Sequence, residues 1–292
     1  MPSRLRLLYF ILCVALILLA VAPEVPAQVV EAQVNTPYVV QYGFGSYEVG
    51  GLTTNTYRIP IPHTFDLGSG PDPLKLQFTG YLGYSHADLE TSVVGPKLTA
   101  SQDYIFALPQ VELLIPLAKG WTLKPYVAMG AGLAFNGSFK FEGREQRLQD
   151  TYDLLYAAGI GSLYVAQLED EFTVSIGNRV GWAEAIPLGA GVGQGLGALE
   201  NGLEVRHPIG LSLNGRELDL GGSFTYYYFF PGAEFSIPGQ RPMVVHNQFE
   251  FGTSLGFAKP TKLWIFENPY IGVSYRFGDG LEGFRANFGF PF

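Results

Sequence analysis

The chain has 292 residues, room for one large β domain or two ordinary ones. Glycine (37), tyrosine (17) and phenylalanine (22) are abundant while charged residues make up only 15%, which suits a β protein with two differently solvated faces. The formal charge of −8 and the scattered Lys and Arg argue against a nucleic-acid surface, and a single cysteine excludes a disulfide framework.

The N-terminus reads as a processing signal. Arg4 and Arg6 precede an apolar run from Leu7 to Ala22, and Val25-Pro26-Ala27 offers small or branched residues for cleavage. The run is short for a bilayer-spanning helix. Cys13 lies inside it, preceded by Phe10-Ile11-Leu12, which lacks the small residue of a lipoprotein site. The expected division is 1–27 signal peptide and 28–292 barrel domain. Removing 1–27 takes away Arg4, Arg6 and Glu24 and leaves 16 basic and 25 acidic residues, a net charge of −9. Beyond residue 27 no apolar run reaches 18 residues. If the exported chain enters a membrane, it does so as a closed barrel, because lipid offers no partner for free backbone groups.

Period-2 alternation supports that reading along the chain. Thr36–Tyr47 is a first strand, weakened by Gly43 and Gly45. Thr53–Asp66 follows, with Tyr57, Ile59, Ile61 and Phe65 on one face. Its Pro60 and Pro62 share the other face and donate nothing to a ladder, so one side of this strand should pair imperfectly. The next strands are Pro73–Ser85, Asp103–Leu117, Trp121–Asn136, Thr151–Ala166, Glu171–Glu184, Leu196–Ile209, Arg216–Phe230, Met243–Phe257, Leu263–Phe277 and Leu281–Phe292. Thr151–Ala166 is apolar on both faces and leaves its register open. The final strand places Phe284, Ala286, Phe288, Phe290 and Phe292 on one face and Arg285, Asn287, Gly289 and Pro291 on the other.

Twelve strands satisfy the even-number rule for bacterial barrels and put both termini in the periplasm. Short connections, such as Ala118–Gly120 and Gly210–Gly215, alternate with longer ones, such as His86–Gln102 and Gly137–Asp150. Residues 28–35 are too few for a plug. The fold class is therefore all-β, a single antiparallel transmembrane barrel of about 12 strands in the bacterial outer membrane.

The inward faces hold the charges. Glu112, Glu200, Glu204, Glu217, Asp219 and Glu250 stand against Lys75, Lys124, Arg179, Arg206, Arg276 and Arg285. Six against six favours ion pairs that fix the strands over a selective pore, because an unpaired buried charge is costly. Tyr81, Tyr126, Tyr227 and Tyr270 also point inward and should narrow the lumen. His246 points inward and His207 sits on the lipid face near a strand end, but no serine stands at a diagnostic spacing from either. No catalytic set, metal-ligand cluster or cofactor motif emerges. The expected role is structural or a narrow channel, without enzymatic activity; the alternative is an enzyme that modifies lipid or lipopolysaccharide.

The signal segment, the alternating strands, the connection pattern and the terminal Phe288-Gly289-Phe290-Pro291-Phe292 resemble a bacterial outer-membrane β-barrel. The twelve strands with few residues ahead of them resemble the solitary autotransporter-type barrels, a translocator domain without its passenger. That resemblance implies contact with outer-membrane lipid and lipopolysaccharide. It further implies delivery by periplasmic chaperones and recognition of Phe288, Phe290 and Phe292 by the barrel-assembly machinery. It implies no cofactor and leaves the oligomeric state open.

Overall fold

A computed structural model describes residues 35–292, apart from 71, 93–96, 142–143, 169–170, 190, 237–240, 260–261, 264–265, 268–269 and 288–289. The signal segment and Phe288 lie outside the described residues. One short helix, α1 (Thr36–Gln41), precedes the strands β1 (Gly45–Val49), β2 (Leu52–Asp66), β3 (Lys75–Ser92), β4 (Lys97–Ala118) and β5 (Trp121–Phe141). Then come β6 (Arg144–Arg147), β7 (Thr151–Gln167), β8 (Thr173–Pro187), β9 (Gln194–Leu213), β10 (Arg216–Phe235) and β11 (Met243–Phe257). The last four are β12 (Lys262–Leu263), β13 (Phe266–Glu267), β14 (Ile271–Gly278) and β15 (Leu281–Asn287).

Twelve of these strands close into an antiparallel barrel. β1 pairs with β2 on one side and with β15 on the other, and the β4–β5 pairing completes the ring. β6 is an extra strand on β5, and β12 and β13 form a separate two-residue hairpin. Two hairpins show how local chemistry sets the register. Asn214-Gly215 joins β9 to β10 and Asp279-Gly280 joins β14 to β15, with both residues of each pair at positive φ. That is the type I′ turn, whose twist matches the strands and which Asn-Gly and Asp-Gly adopt at low cost.

The faces are the reverse of a soluble barrel. Ile59, Leu82, Met129, Ile176, Leu203, Phe251, Ile271 and Phe284 point outward and are exposed. Glu112, Glu200, Glu204, Arg206, Asp219, Glu250 and Arg276 point inward and are buried. Thr151–Gln167 adopts the register that turns Asp153, Leu155 and Ala157 inward.

Four expectations are corrected. Thr36–Tyr47 is strand only from Gly45: Asn35 caps a helix over Thr36–Gln41, its side chain accepting from the Tyr38 amide at 2.9 Å, and Pro37 sits in the first turn, where a missing N–H costs nothing. The barrel takes its first strand from Gly45–Val49 instead, so twelve strands remain. Residues 86–102 are mainly strand, because β3 and β4 continue past the apolar band as one hairpin. β14 starts at Ile271 rather than Leu263, and the connection before it carries the β12–β13 hairpin. Last, β15 ends at Asn287, so Phe290 and Phe292 are not on a lipid-facing strand.

The short β1 leaves its mark on β2. All of β2 pairs with β3, from Leu52↔Leu89 to Asp66↔Lys75, but β1 covers only Leu52–Thr56. Pro60 and Pro62 lie in the stretch that β1 does not reach, where a prolyl nitrogen forfeits no ladder bond with it. The imperfect pairing expected of this strand is thus on its β1 side.

Candidate functional site

The site with the most chemistry is the lumen. α1 lies inside it, with its N-terminal end toward the 188–193 connection: the Thr36 amide donates to Gln194 Oε1 at 2.7 Å, and Gln194 is the first residue of β9. A six-residue helix leaves most of its terminal backbone groups without helical partners, and the wall supplies them. Arg58 donates to the Val40 and Gln41 carbonyls, each at 3.1 Å, and Arg276 donates to the Tyr42 carbonyl.

Tyr38 is the centre of the packing. It is 0% exposed, and its hydroxyl donates to Gln248 Oε1 at 2.6 Å. Its ring meets Tyr47, Phe229 and Phe235 edge-on, each with centroids 5.5 Å apart, the geometry that ring quadrupoles favour. Val49, Leu52, Leu196, Val245 and Leu281 complete this cluster, and Val40 enters a second one with Tyr104, Phe106, Leu108 and Tyr126. Inward glycines make room for the rings: a Cβ on Gly83 would sit 2.1 Å from Phe106, and one on Gly132 1.9 Å from the Tyr104 hydroxyl. The expectation that too few residues precede the barrel for a plug is therefore corrected. The plug lies in the segment read as the first strand.

Below α1 the lumen holds ion pairs across neighbouring strands. Arg179 stands opposite Glu200 at 3.6 Å, and Arg276 opposite Glu250 at 2.9 Å. Lys124 meets Glu112 at 3.2 Å. Arg206 binds Asp219 through two nitrogens, at 2.8 and 2.6 Å, reaches Glu204 at 3.2 Å, and lies over the Tyr270 ring at 3.7 Å. Arg285 approaches Glu250 at 3.5 Å, and Glu250 also accepts from Ser274 and Tyr227.

Ten of the twelve predicted charges meet in this interior. Lys75 sits at its rim, half-exposed, beside Asp66. Glu217 is exposed near the tip of the β9–β10 hairpin, where residues 209–217 are all exposed and neither face is covered. Among the described residues, two interior charges escaped the sequence reading. Arg58 was legible, since its neighbours Tyr57 and Ile59 belong to the strand's apolar face and it falls on the other. Asp153, which accepts from the Tyr104 hydroxyl at 3.0 Å, was hidden by the undecided register of its strand.

A cavity of about 260 Å³ remains between Gln41 and Tyr42, at the C-terminal end of α1, and the tail Phe290–Phe292, walled by Arg58, Lys124, Arg179, Glu200 and Arg285 among others. The histidines lie elsewhere. A register shift between Tyr228 and Ala233 turns Val245 inward and leaves His246 exposed, its Nδ1 3.1 Å from the Phe229 carbonyl oxygen; the inward placement of His246 is corrected. His207 meets Phe172 with ring centroids 4.4 Å apart and the planes tilted by 43°. His86 lies outside the apolar band, held at 2.7 Å by both Asp88 and Asp103. Among the described residues none of these imidazoles meets a serine.

No protein-family model matches the chain, and neither does any curated protein. Among solved structures it is similar to the β domain of the Bordetella autotransporter BrkA, with a TM-score of 0.54 and 13% identity. That match covers 83% of this chain and 92% of the other. At such identity the likeness is one of fold. In fold, this chain resembles the autotransporter-type β domain: a closed, twelve-stranded antiparallel barrel.

Proposed function

We propose that residues 1–27 direct export and that the rest is an outer-membrane barrel whose lumen is closed by its own chain, with a structural rather than enzymatic role. The observation that carries this is Tyr38, fully buried at the centre of the barrel on a helix whose ends are bonded to the wall. A channel protein would leave that volume to water. The ion pairs support the same reading: they satisfy one another across strands and leave no ring of one sign, which a selective pore needs.

The apolar outer face suits outer-membrane lipid and lipopolysaccharide as its surroundings, and the termini then lie in the periplasm. The aromatic C-terminus would serve the barrel-assembly machinery before closure, while the chain is still carried by periplasmic chaperones. The test is fractionation of cells expressing the full chain. The expected result is a protein in the outer membrane that has lost 1–27, migrates differently when boiled, and leaves lipid and lipopolysaccharide profiles unchanged. Recovery in the soluble periplasm would defeat the membrane reading, and a new acylated or deacylated lipid would defeat the non-enzymatic one.

A further inference from the structure

The charged cavity has a second boundary, the C-terminus itself. Phe292 lies against the inner wall at Gly177 and Gly202, which stand directly opposite each other on β8 and β9. A Cβ on Gly177 would fall 2.1 Å from the Phe292 ring, and one on Gly202 2.3 Å from it. Neither position has space for a side chain while the ring is there. Arg179, on the same strand as Gly177, donates to the Pro291 carbonyl at 2.8 Å and holds its guanidinium 5.5 Å from the Phe292 ring centre. Phe290 packs on Phe292 with centroids 5.0 Å apart.

We propose that Gly177, Gly202 and Arg179 form a binding pocket for an aromatic side chain and the carbonyl that precedes it, and that its ligand is this chain's own Phe290–Phe292 segment, docked in cis. The slot takes a flat ring, and the guanidinium reads both the ring face and the preceding carbonyl. Docked this way, the tail lies in the lumen on the other side of the cavity from α1 and narrows it there. The inference rests on the closed-barrel reading, but its test follows the tail's position and not ion flow, so either can fail alone.

The test is disulfide trapping in the full chain with Cys13 replaced by serine. In Gly177→Cys/Phe292→Cys the two Cβ atoms would start 2.5 Å apart, close enough to relax to the roughly 3.5–4.5 Å of a disulfide. The expected result is a cross-link within one chain, formed in the heat-modifiable, folded population. Continuing the β14–β15 register from Asn287↔Gly272 would instead bring position 292 beside position 267. A cross-link in Glu267→Cys/Phe292→Cys with none at 177 would overturn the proposal. A 177–292 link joining two chains would overturn docking in cis. Should the double variants fail to fold, thiol labelling of Phe292→Cys alone decides: the docked tail reacts slowly, and Arg179→Met speeds labelling about fivefold, through loss of the hydrogen bond to the Pro291 carbonyl. Fast labelling that Arg179→Met does not change would equally overturn it.

Discussion

Glu250 offers the sharpest perturbation of the interior. Its carboxylate accepts from Ser274 Oγ at 2.7 Å, Arg276 Nε at 2.9 Å and Tyr227 Oη at 3.2 Å, and it faces Arg285 at 3.5 Å. Arg276 is 2% exposed, so Glu250→Ala leaves a cation with little access to water. Stranding one member of a buried pair costs about 3–5 kcal/mol. The two hydroxyls also lose an acceptor, at about 1 kcal/mol each, although the terms overlap and do not simply add. A net loss near 4 kcal/mol, with a denaturant slope near 3 kcal/mol per molar urea, moves the midpoint down by about 1–1.5 M. The assay is urea unfolding in lipid vesicles, read as the fraction of the fast-migrating folded band. Glu250→Leu/Arg276→Met removes both partners and should recover about half of the loss, leaving Arg285, the Ser274 and Tyr227 hydroxyls and the Tyr42 carbonyl without these partners. An unshifted midpoint for Glu250→Ala, or a double variant no better than the single one, would mean that water reaches Arg276 and that the lumen is not packed as described.

Arg206→Ala should cost a similar 3–5 kcal/mol, because Asp219 and Glu204 lose their shared partner; the same urea series checks it, and no change would refute the pairing. Tyr38→Ala should destabilise by about 3–5 kcal/mol, the range for truncating a large buried ring, while Tyr38→Phe, which loses only the bond to Gln248, should cost about 1 kcal/mol. Equal effects would place the hydroxyl rather than the ring at the centre. At the Asp279-Gly280 turn, partial burial alone would raise the Asp279 carboxyl, but the backbone amides of Asn247 and His246 donate to it and hold it below the ordinary aspartate value. The turn is therefore anchored at neutral pH, and the anchor is lost only as pH falls through that lowered value. The amide shifts of His246 and Asn247 should titrate with a midpoint below that of an unperturbed aspartate and stay flat in Asp279→Asn; a midpoint at or above it would refute the assignment.

The wall of the barrel was legible because alternation is a strong signal wherever one face is apolar throughout. It told that Arg179 and Glu200, or Arg276 and Glu250, share the inside, though not that they stand opposite each other, which depends on register. Where alternation failed, the cause was local. Thr36-Pro37-Tyr38-Val39-Val40-Gln41 can be read as a strand as readily as a helix, and the deciding signal was the Asn35 cap with Pro37 behind it. A register shift between Tyr228 and Ala233 displaced His246, and Glu217 lies where the β9–β10 hairpin is exposed on both strands, beyond the reach of an inside-or-outside rule. The C-terminal phenylalanines do alternate in sequence, yet Phe290 and Phe292 lie against glycines of the inner wall more than 80 residues away, a coincidence that no local pattern carries.

The central claim is that the chain closes its own lumen, and planar-bilayer recording tests it most directly. The unmodified protein should show little conductance and weak ion selectivity, and deletion of Asn35–Gln41 should produce distinct, larger openings in a barrel that still migrates as folded. A large, stable and strongly selective conductance in the unmodified protein would contradict the account, since ions could then pass only where Tyr38 and its neighbours are packed.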